Sequence, residues 1–426
     1  MPSRGSVRST RAYFRSTFLS NTLVNASGIV GGQLLVLIAT PVLARQYTPA
    51  EFGVYAAVAA VSGVIATSVV LRFDVALPST LDGETPAMYR LGVSVCVASL
   101  LLGMLLVALG VHRLLPLTPS LAVTSVALLT TVAGALQGLL LLFTAALVRG
   151  GCFPHTAMLR IVQPLAFIAV ALFTVPGGLP VAFAAGVLIT AAIGFAFSWR
   201  NLVEPASHGV RQIARKYWEY PLISLPPAVL DTLALSMPLL FIVQHFGEGA
   251  GGHYSQVQRF VAAPLLLCSA AISQVFYKHA GDAARAGKST RPLMWRTVRT
   301  LLLAGSGIVV LVALIGHPVL SLLLGEGWRT DSRYLLLILL PAVFRVSVSP
   351  ITTIFMLARQ VRLGALWQVI YAAATWSVLS YVSARSDIDG LLIAILINEF
   401  VMYGLHLWMA DLAVRRLDRR SVQCAA

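Results

Sequence analysis

Six charged residues stand inside long apolar runs: Arg72, Asp74, Asp231, Arg259, Arg345 and Glu399. Ionised groups are costly in hydrocarbon, so each needs a partner, a water-filled cavity or a nearby interface. The chemistry open to such a set is electrostatic. A guanidinium presents a planar fork of donors that fits phosphate, and a carboxylate at depth can pair with it or carry a coupling ion. The four cysteines are scattered, and no His stands with Cys or carboxylate at metal-ligand spacing. Neither a disulfide framework nor a metal site is therefore expected, and no cofactor beyond coupling to a proton or sodium gradient.

Position within the runs separates the candidates. Asp231 and Arg345 fall near the middle of theirs, Glu399 somewhat off the middle, and Arg259 closer to one end. Arg72 and Asp74 are two residues apart, roughly 200° around a helix, so they cannot pair along it. Asp74 shares a face with Gly53, Ala56, Ala60, Gly63 and Thr67, a small-residue stripe suited to close helix packing. Arg72 either lines a cavity or snorkels to the headgroups. Asp231 lies on a stripe with Ser224, Pro227 and Pro238, and proline deletes a backbone hydrogen bond; a kinked, gate-like helix with a midplane carboxylate is expected. Arg259 follows Ser255 and precedes Ala262, Ser269 and Ser273 on one side of its helix. Arg72, Arg259, Arg345 and Gln33 are the substrate-contact candidates. Asp231, Asp74 and Glu399 are the ion-coupling or salt-bridge candidates, and Pro227 and Pro238 mark the kink. The plainer readings stay open: structural salt bridges for the charges, and helix-to-helix hydrogen bonds for Gln33, Gln137, Gln163 and Gln368.

The elements that must position these residues are membrane helices. The 426 residues are 58% hydrophobic and only 11% charged, and mean hydropathy is +0.84. A soluble domain is nearer half apolar and a quarter charged. Hydropathy excludes a soluble scaffold or a nucleic-acid-binding protein despite a net charge of +15. Apolar windows long enough to span a bilayer fall at 19–44, 52–77, 91–111, 121–148, 159–175, 181–199, 221–245, 253–277, 300–324, 334–358, 365–384 and 391–411, which predicts about twelve helices. Of the 31 Lys and Arg, 23 lie on one side of these windows and 5 on the other, with three inside them. The positive-inside rule then puts both termini in the cytoplasm.

Domain organisation follows. Residues 1–18 carry Arg4, Arg8, Arg11 and Arg15 on one helical face, as in a basic amphipathic segment that binds anionic lipids. Residues 19–199 form the first lobe, 200–220 the cytoplasmic linker, 221–412 the second lobe and 413–426 a basic tail. Gly53-Val-Tyr55 opens the second window, and Gly252-His-Tyr254 opens the eighth. Six helices per half leave the halves parallel, so the expected fold is an all-α polytopic protein with two six-helix lobes related by a parallel pseudo-two-fold.

The chain resembles the bacterial oligosaccharide flippase (O-antigen translocase) family of polysaccharide biosynthesis proteins, within the superfamily of multidrug and toxin extruders. The resemblance is carried by Gly32-Gln33, Pro41-Val-Leu-Ala-Arg45, Tyr47-Thr-Pro-Ala-Glu-Phe-Gly-Val-Tyr55 and Leu71-Arg-Phe-Asp-Val-Ala-Leu-Pro78. In the second half it rests on Gly252-His-Tyr-Ser-Gln-Val-Gln-Arg-Phe260 with Pro264, Gln274-Val-Phe276 and Leu324-Gly-Glu-Gly-Trp328. Asp74 departs from the family pattern, which has Glu there. The resemblance implies a central cavity, alternating access, and an undecaprenyl-diphosphate-linked glycan as cargo. It places the protein in the bacterial inner membrane, as a transporter and not an enzyme, with a polymerase and a chain-length regulator as candidate partners. It also implies a gate lined by helices one, two, seven and eight.

Two other readings compete. A cation-coupled drug or metabolite exporter of the same fold would rest on the carboxylates instead of the arginines. A membrane polymerase or ligase of the same glycan pathway would need an extended outer loop and paired carboxylates. The outer loops are short, and the Asp387/Asp389 pair reads as an exposed turn.

Overall fold

Long runs of Leu, Val and Ala broken by Gly, Pro and single charges can satisfy every backbone group in hydrocarbon only as helices. In the computed structural model they do so. The structure describes residues 4–113, 120–174, 177–286, 288–329, 331–358 and 360–425. The side chains of 4–23, 263, 264, 266–268, 270, 271, 274, 361 and 419–425 lie outside that description, so the expectation for Arg4, Arg8, Arg11 and Arg15 does too.

The helices are α1 (Arg4–Gln46), α2 (Pro49–Val69), α3 (Phe73–Ala76), α4 (Thr85–Ala108), α5 (Thr124–Arg149), α6 (Phe153–Phe173), α7 (Leu179–Ser198), α8 (Arg200–Val203) and α9 (Val210–Lys216). There follow α10 (Leu225–Val257), α11 (Ala263–Arg285), α12 (Arg291–Leu324), α13 (Ser332–Val348), α14 (Ile354–Leu357), α15 (Val361–Ser383) and α16 (Ile388–Ala425). No strand forms among the described residues. Among the described residues, eleven stretches are long and apolar enough to cross a bilayer, against the twelve that hydropathy predicts. The seventh window and the start of the eighth share 220–262, where two helices meet across a kink. Gly247 interrupts this stretch at φ 88°, ψ 168°, a conformation only glycine takes readily. A Cβ at Gly251 would meet Val243 and Leu239, so the chain doubles back on itself after Gly247.

The chain divides into two compact units. The first is Met1–Leu43 with Val58–Val229, and the second is Ala44–Ala57 with Leu230–Ala426. These bounds differ from the expected lobes at 44–57, 200–220 and 221–229, and the first two have a physical cause. The 44–57 segment joins the second unit because its backbone meets helix α10 directly: a Cβ on Gly53 would collide with the Glu248 carbonyl, and one on Gly252 with the Pro49 carbonyl. This reciprocal contact of two repeat-related glycines brings the helix backbones together as small-residue membrane crossings do.

The 200–220 linker joins the first unit because it is tied down there. Arg90 donates to the carbonyls of Leu202 (2.8 Å) and Glu204. The Ser207 N–H donates to Gly83, and Lys216 and Tyr217 both donate to the buried Glu84 carboxylate, at 2.5 and 2.9 Å. Burial, together with Glu84 as acceptor, pushes the Tyr217 hydroxyl up to about 12.

Candidate functional site

In the first unit, helix α2 ends at Val69, well short of the expected 77. Leu71 (φ 50°) and Arg72 (φ 62°) take the left-handed conformation, and α3 then starts at Phe73. Such a turn costs a non-glycine residue about 1–2 kcal/mol, and backbone strain of this kind collects at functional sites. The turn overturns the expectation that Arg72 and Asp74 face opposite ways. Arg72 Nη1 stands 4.0 Å from Asp74 Oδ2, with side chains 24% and 11% exposed. The pair is only half made: Arg72 Nε and Asp74 Oδ1 are buried without a partner among the described residues. Gln33 is exposed on α1.

The second unit holds the denser polar cluster. Glu399, Tyr403 and His406 recur at helical spacing on one face of α16, opposite Trp367 and Tyr371 of α15 and Arg345 of α13. Arg345 donates to Glu399 Oε1 at 2.8 Å, and the Tyr371 hydroxyl donates to the same oxygen at 2.6 Å. Trp367 stacks on Tyr371 with centroids 5.1 Å apart and meets His406 edge-on at 4.4 Å. Glu399 is 1% exposed and Arg345 14%. Arg345 and Glu399, expected as a substrate contact and a coupling group, are each other's principal partners. Arg345 Nε and Glu399 Oε2 have no hydrogen-bond partner among the described residues.

Asp231 lies within electrostatic range of Arg345 and Tyr403 but outside ion-pair distance of any cation described. Pro238 and Arg345 line a cavity of about 30 Å³ with Tyr254 and Gln258, room for about one water. Pro227 and Pro238, the expected kink positions, both lie within α10. Backbone angles there stay helical, and α10 is interrupted at Gly247. Proline is tolerated because water or neighbouring groups can take up the freed carbonyl.

Arg259 is the third arginine of the set. It sits in a π-helical turn, Gln258–Ala262, a distortion frequent at functional sites. Its guanidinium lies over the Tyr55 ring, 5.6 Å from the centroid, and donates to the Tyr55 hydroxyl at 3.3 Å. It has no carboxylate at ion-pair distance among the described residues, whereas Arg345 has Glu399 and Arg72 has Asp74. Nearby, Gln256 is wholly buried with neither amide atom bonded.

The motif residues around Arg259 pack on one another. Phe52 meets Trp328 edge-on at 5.4 Å, His253 meets Trp328 at 5.5 Å, and the Trp328 indole N–H donates to the Ala44 carbonyl at 3.4 Å. The Arg329 N–H donates to His253 Nδ1, and the Arg329 side chain bridges Asp331 and Asp389 at 2.9 and 2.8 Å. Asp389, which reads from sequence as an exposed turn, is therefore a loop tie, while Asp387 accepts from the Gly390 N–H. Tyr371, Tyr403, Trp367 and His406 were missed by sequence reasoning. The Glu399-x3-Tyr403-x2-His406 spacing was the available signal. Among the described residues no group of His, Cys, Asp and Glu could hold a metal ion.

This arrangement, helical units carrying buried arginine–carboxylate sites, has the fold of transporters of the MOP superfamily. The lipid II flippase MurJ in an inward closed conformation superposes with a TM-score of 0.65 at 13% identity, covering 95% of this chain and 91% of that one. A point mutant of the Vibrio cholerae MATE transporter VcmN gives 0.59 at 14%, covering 95% and 98%. An inward-facing MATE multidrug transporter gives 0.58 at 13%, covering 94% and 96%. Residues 42–332 match the family described as polysaccharide biosynthesis protein, and the chain belongs to that family. No curated protein matches the sequence.

Proposed function

We propose that the protein flips an undecaprenyl-diphosphate-linked oligosaccharide from the cytoplasmic to the outer leaflet by alternating access, for O-antigen, capsule or exopolysaccharide synthesis. The observation that carries this is Arg259, a guanidinium within a membrane-spanning stretch that lacks a counter-carboxylate among the described residues. An unpaired arginine within a span costs up to about 2.5–3.5 kcal/mol on insertion scales, the value at the bilayer centre, a cost that function must offset. A diphosphate would supply the missing charge, while the Tyr55 ring and hydroxyl hold the fork in place. Family membership and the likeness to flippase and exporter folds support the same reading.

In this reading the protein is a transporter, multi-pass in the bacterial inner membrane with cytoplasmic termini. Arg72 is a further anion contact, and its half-made bond to Asp74 leaves donors available. Asp231 is the candidate coupling group for a proton or sodium ion, since it lies outside ion-pair distance of the described cations. Anionic lipids, a polymerase and a chain-length regulator are the partners the reading implies.

The test is Arg259→Ala and Arg259→Lys in the native strain, with membrane insertion checked by blotting. Surface glycan should be lost in the first and partly restored in the second, with lipid-linked glycan accumulating inside. Normal surface glycan from Arg259→Ala overturns the assignment. A changed drug-susceptibility profile with normal glycan would favour the exporter reading.

A further inference from the structure

The first unit contains a cavity that the transport site does not use. It encloses about 260 Å³ between α2, α4 and α5. Val61 and Val69, Ser99 and Val107, and Ala127 and Ala135 mark its extent on the three helices. Each pair is eight residues apart, roughly 12 Å at 1.5 Å per residue. That length fits within one leaflet, about 15 Å of hydrocarbon. A cavity of about 150 Å³ takes benzene, so this one has room for about ten carbons on that scale. Leu106, itself a lining residue, is 40% exposed.

The walls are apolar in effect. The Thr130 and Thr131 hydroxyls donate to carbonyls of their own helix, at 2.7 and 2.8 Å. At the end of the cavity lies His112, between α4 and α5 and only 6% exposed. Its Nε2 is 3.2 Å from the Ala122 carbonyl. A carbonyl can only accept, so Nε2 carries the proton and Nδ1 presents a lone pair. That Nδ1 is buried and has no partner among the described residues. A buried acceptor left unbonded is costly, and its natural complement is a donor.

We propose that this cavity binds a single-chain lipid from the surrounding bilayer, with a hydroxyl at its head donating to His112 Nδ1. The chain then runs inward between α2, α4 and α5. An ester carbonyl or an ether oxygen cannot make this bond, because both accept and neither donates. The site therefore selects long-chain alcohols and monoacylglycerols over fully substituted lipids.

The test uses the full chain in nanodiscs of one phospholipid. It is photolabelled with a long-chain alcohol bearing a mid-chain diazirine, or with the methyl ether of the same alcohol. The alcohol should label peptides covering 61–69, 99–107 and 127–135, roughly 2- to 10-fold more than the ether, the range of one neutral hydrogen bond. His112→Leu should make the two probes equal, and Ala135→Phe should abolish labelling by filling the cavity. If either variant does not fold, the alcohol-to-ether ratio in the unaltered protein decides alone. Equal labelling by the two probes, adducts confined to other helices, or displacement by polyprenyl phosphate but not by unlabelled alcohol would each overturn the proposal.

Discussion

The buried pair in the second unit permits a quantitative test. Glu399→Gln keeps the shape of the side chain and an oxygen for the Tyr371 hydroxyl, now 2.6 Å from Oε1, but removes the charge that neutralises Arg345 at 2.8 Å. Breaking a buried pair by altering one member costs about 3–5 kcal/mol, because the other charge is left uncompensated. The glutamine oxygen retains part of the bonding, so the lower end, about 3 kcal/mol, is expected. For a unit of some 200 residues each kcal/mol moves Tm by about 2–4 °C, so a drop of about 6–12 °C follows. Tryptophan fluorescence during thermal unfolding in detergent would read it, since Trp367 stacks on Tyr371 beside the pair. Removing both charges by Arg345→Met with Glu399→Leu should restore most of the loss, as replacing whole buried pairs with apolar groups often does. The reasoning fails if Glu399→Gln melts within about 2 °C of the native protein. It also fails if the double variant is as unstable as the single one.

Three further outcomes are expected. Gly252→Val should destabilise the second unit by at least about 1–3 kcal/mol, the usual cost of overpacking, because its Cβ would meet the Pro49 carbonyl; a thermal melt beside Gly249→Val, where a Cβ meets open space, checks this. Glu84→Gln should loosen the 200–217 segment held by Lys216 and Tyr217, seen as faster limited proteolysis there with the first unit otherwise intact. Asp331 caps α13 through the Tyr334 N–H; burial opposes its charge, but Arg329 and that N–H outweigh burial and hold the carboxyl below its usual range. A depressed carboxylate contributes stability that is complete above the unfolded value, about 3.9, and is lost as pH falls through the folded one. Melting temperature should therefore fall less steeply below pH 4 in Asp331→Asn than in the native protein, and identical slopes would count against the cap.

Hydropathy and charge placement made the helical membrane architecture legible, because each residue in hydrocarbon must satisfy its own backbone and a span has a set length. The glycine match was visible too: Gly53-Val-Tyr55 and Gly252-His-Tyr254 each open a window in the sequence, and in the fold each glycine meets the backbone of the other's helix. The membrane-embedded charges were found by type alone, since any such residue in an apolar run is conspicuous.

What each charge does depended on the tertiary fold. Spacing on an ideal helix set Arg72 against Asp74, and the left-handed turn at Leu71 and Arg72 brought them together. Arg345 and Glu399 are 54 residues apart in sequence, and only the packing of α13 on α16 makes them partners. The same packing argument leaves Arg259 with Tyr55 instead of a carboxylate. Hydropathy and charge are local and additive along a chain, so sequence determines them; pairing is a property of two surfaces and is decided where those surfaces meet.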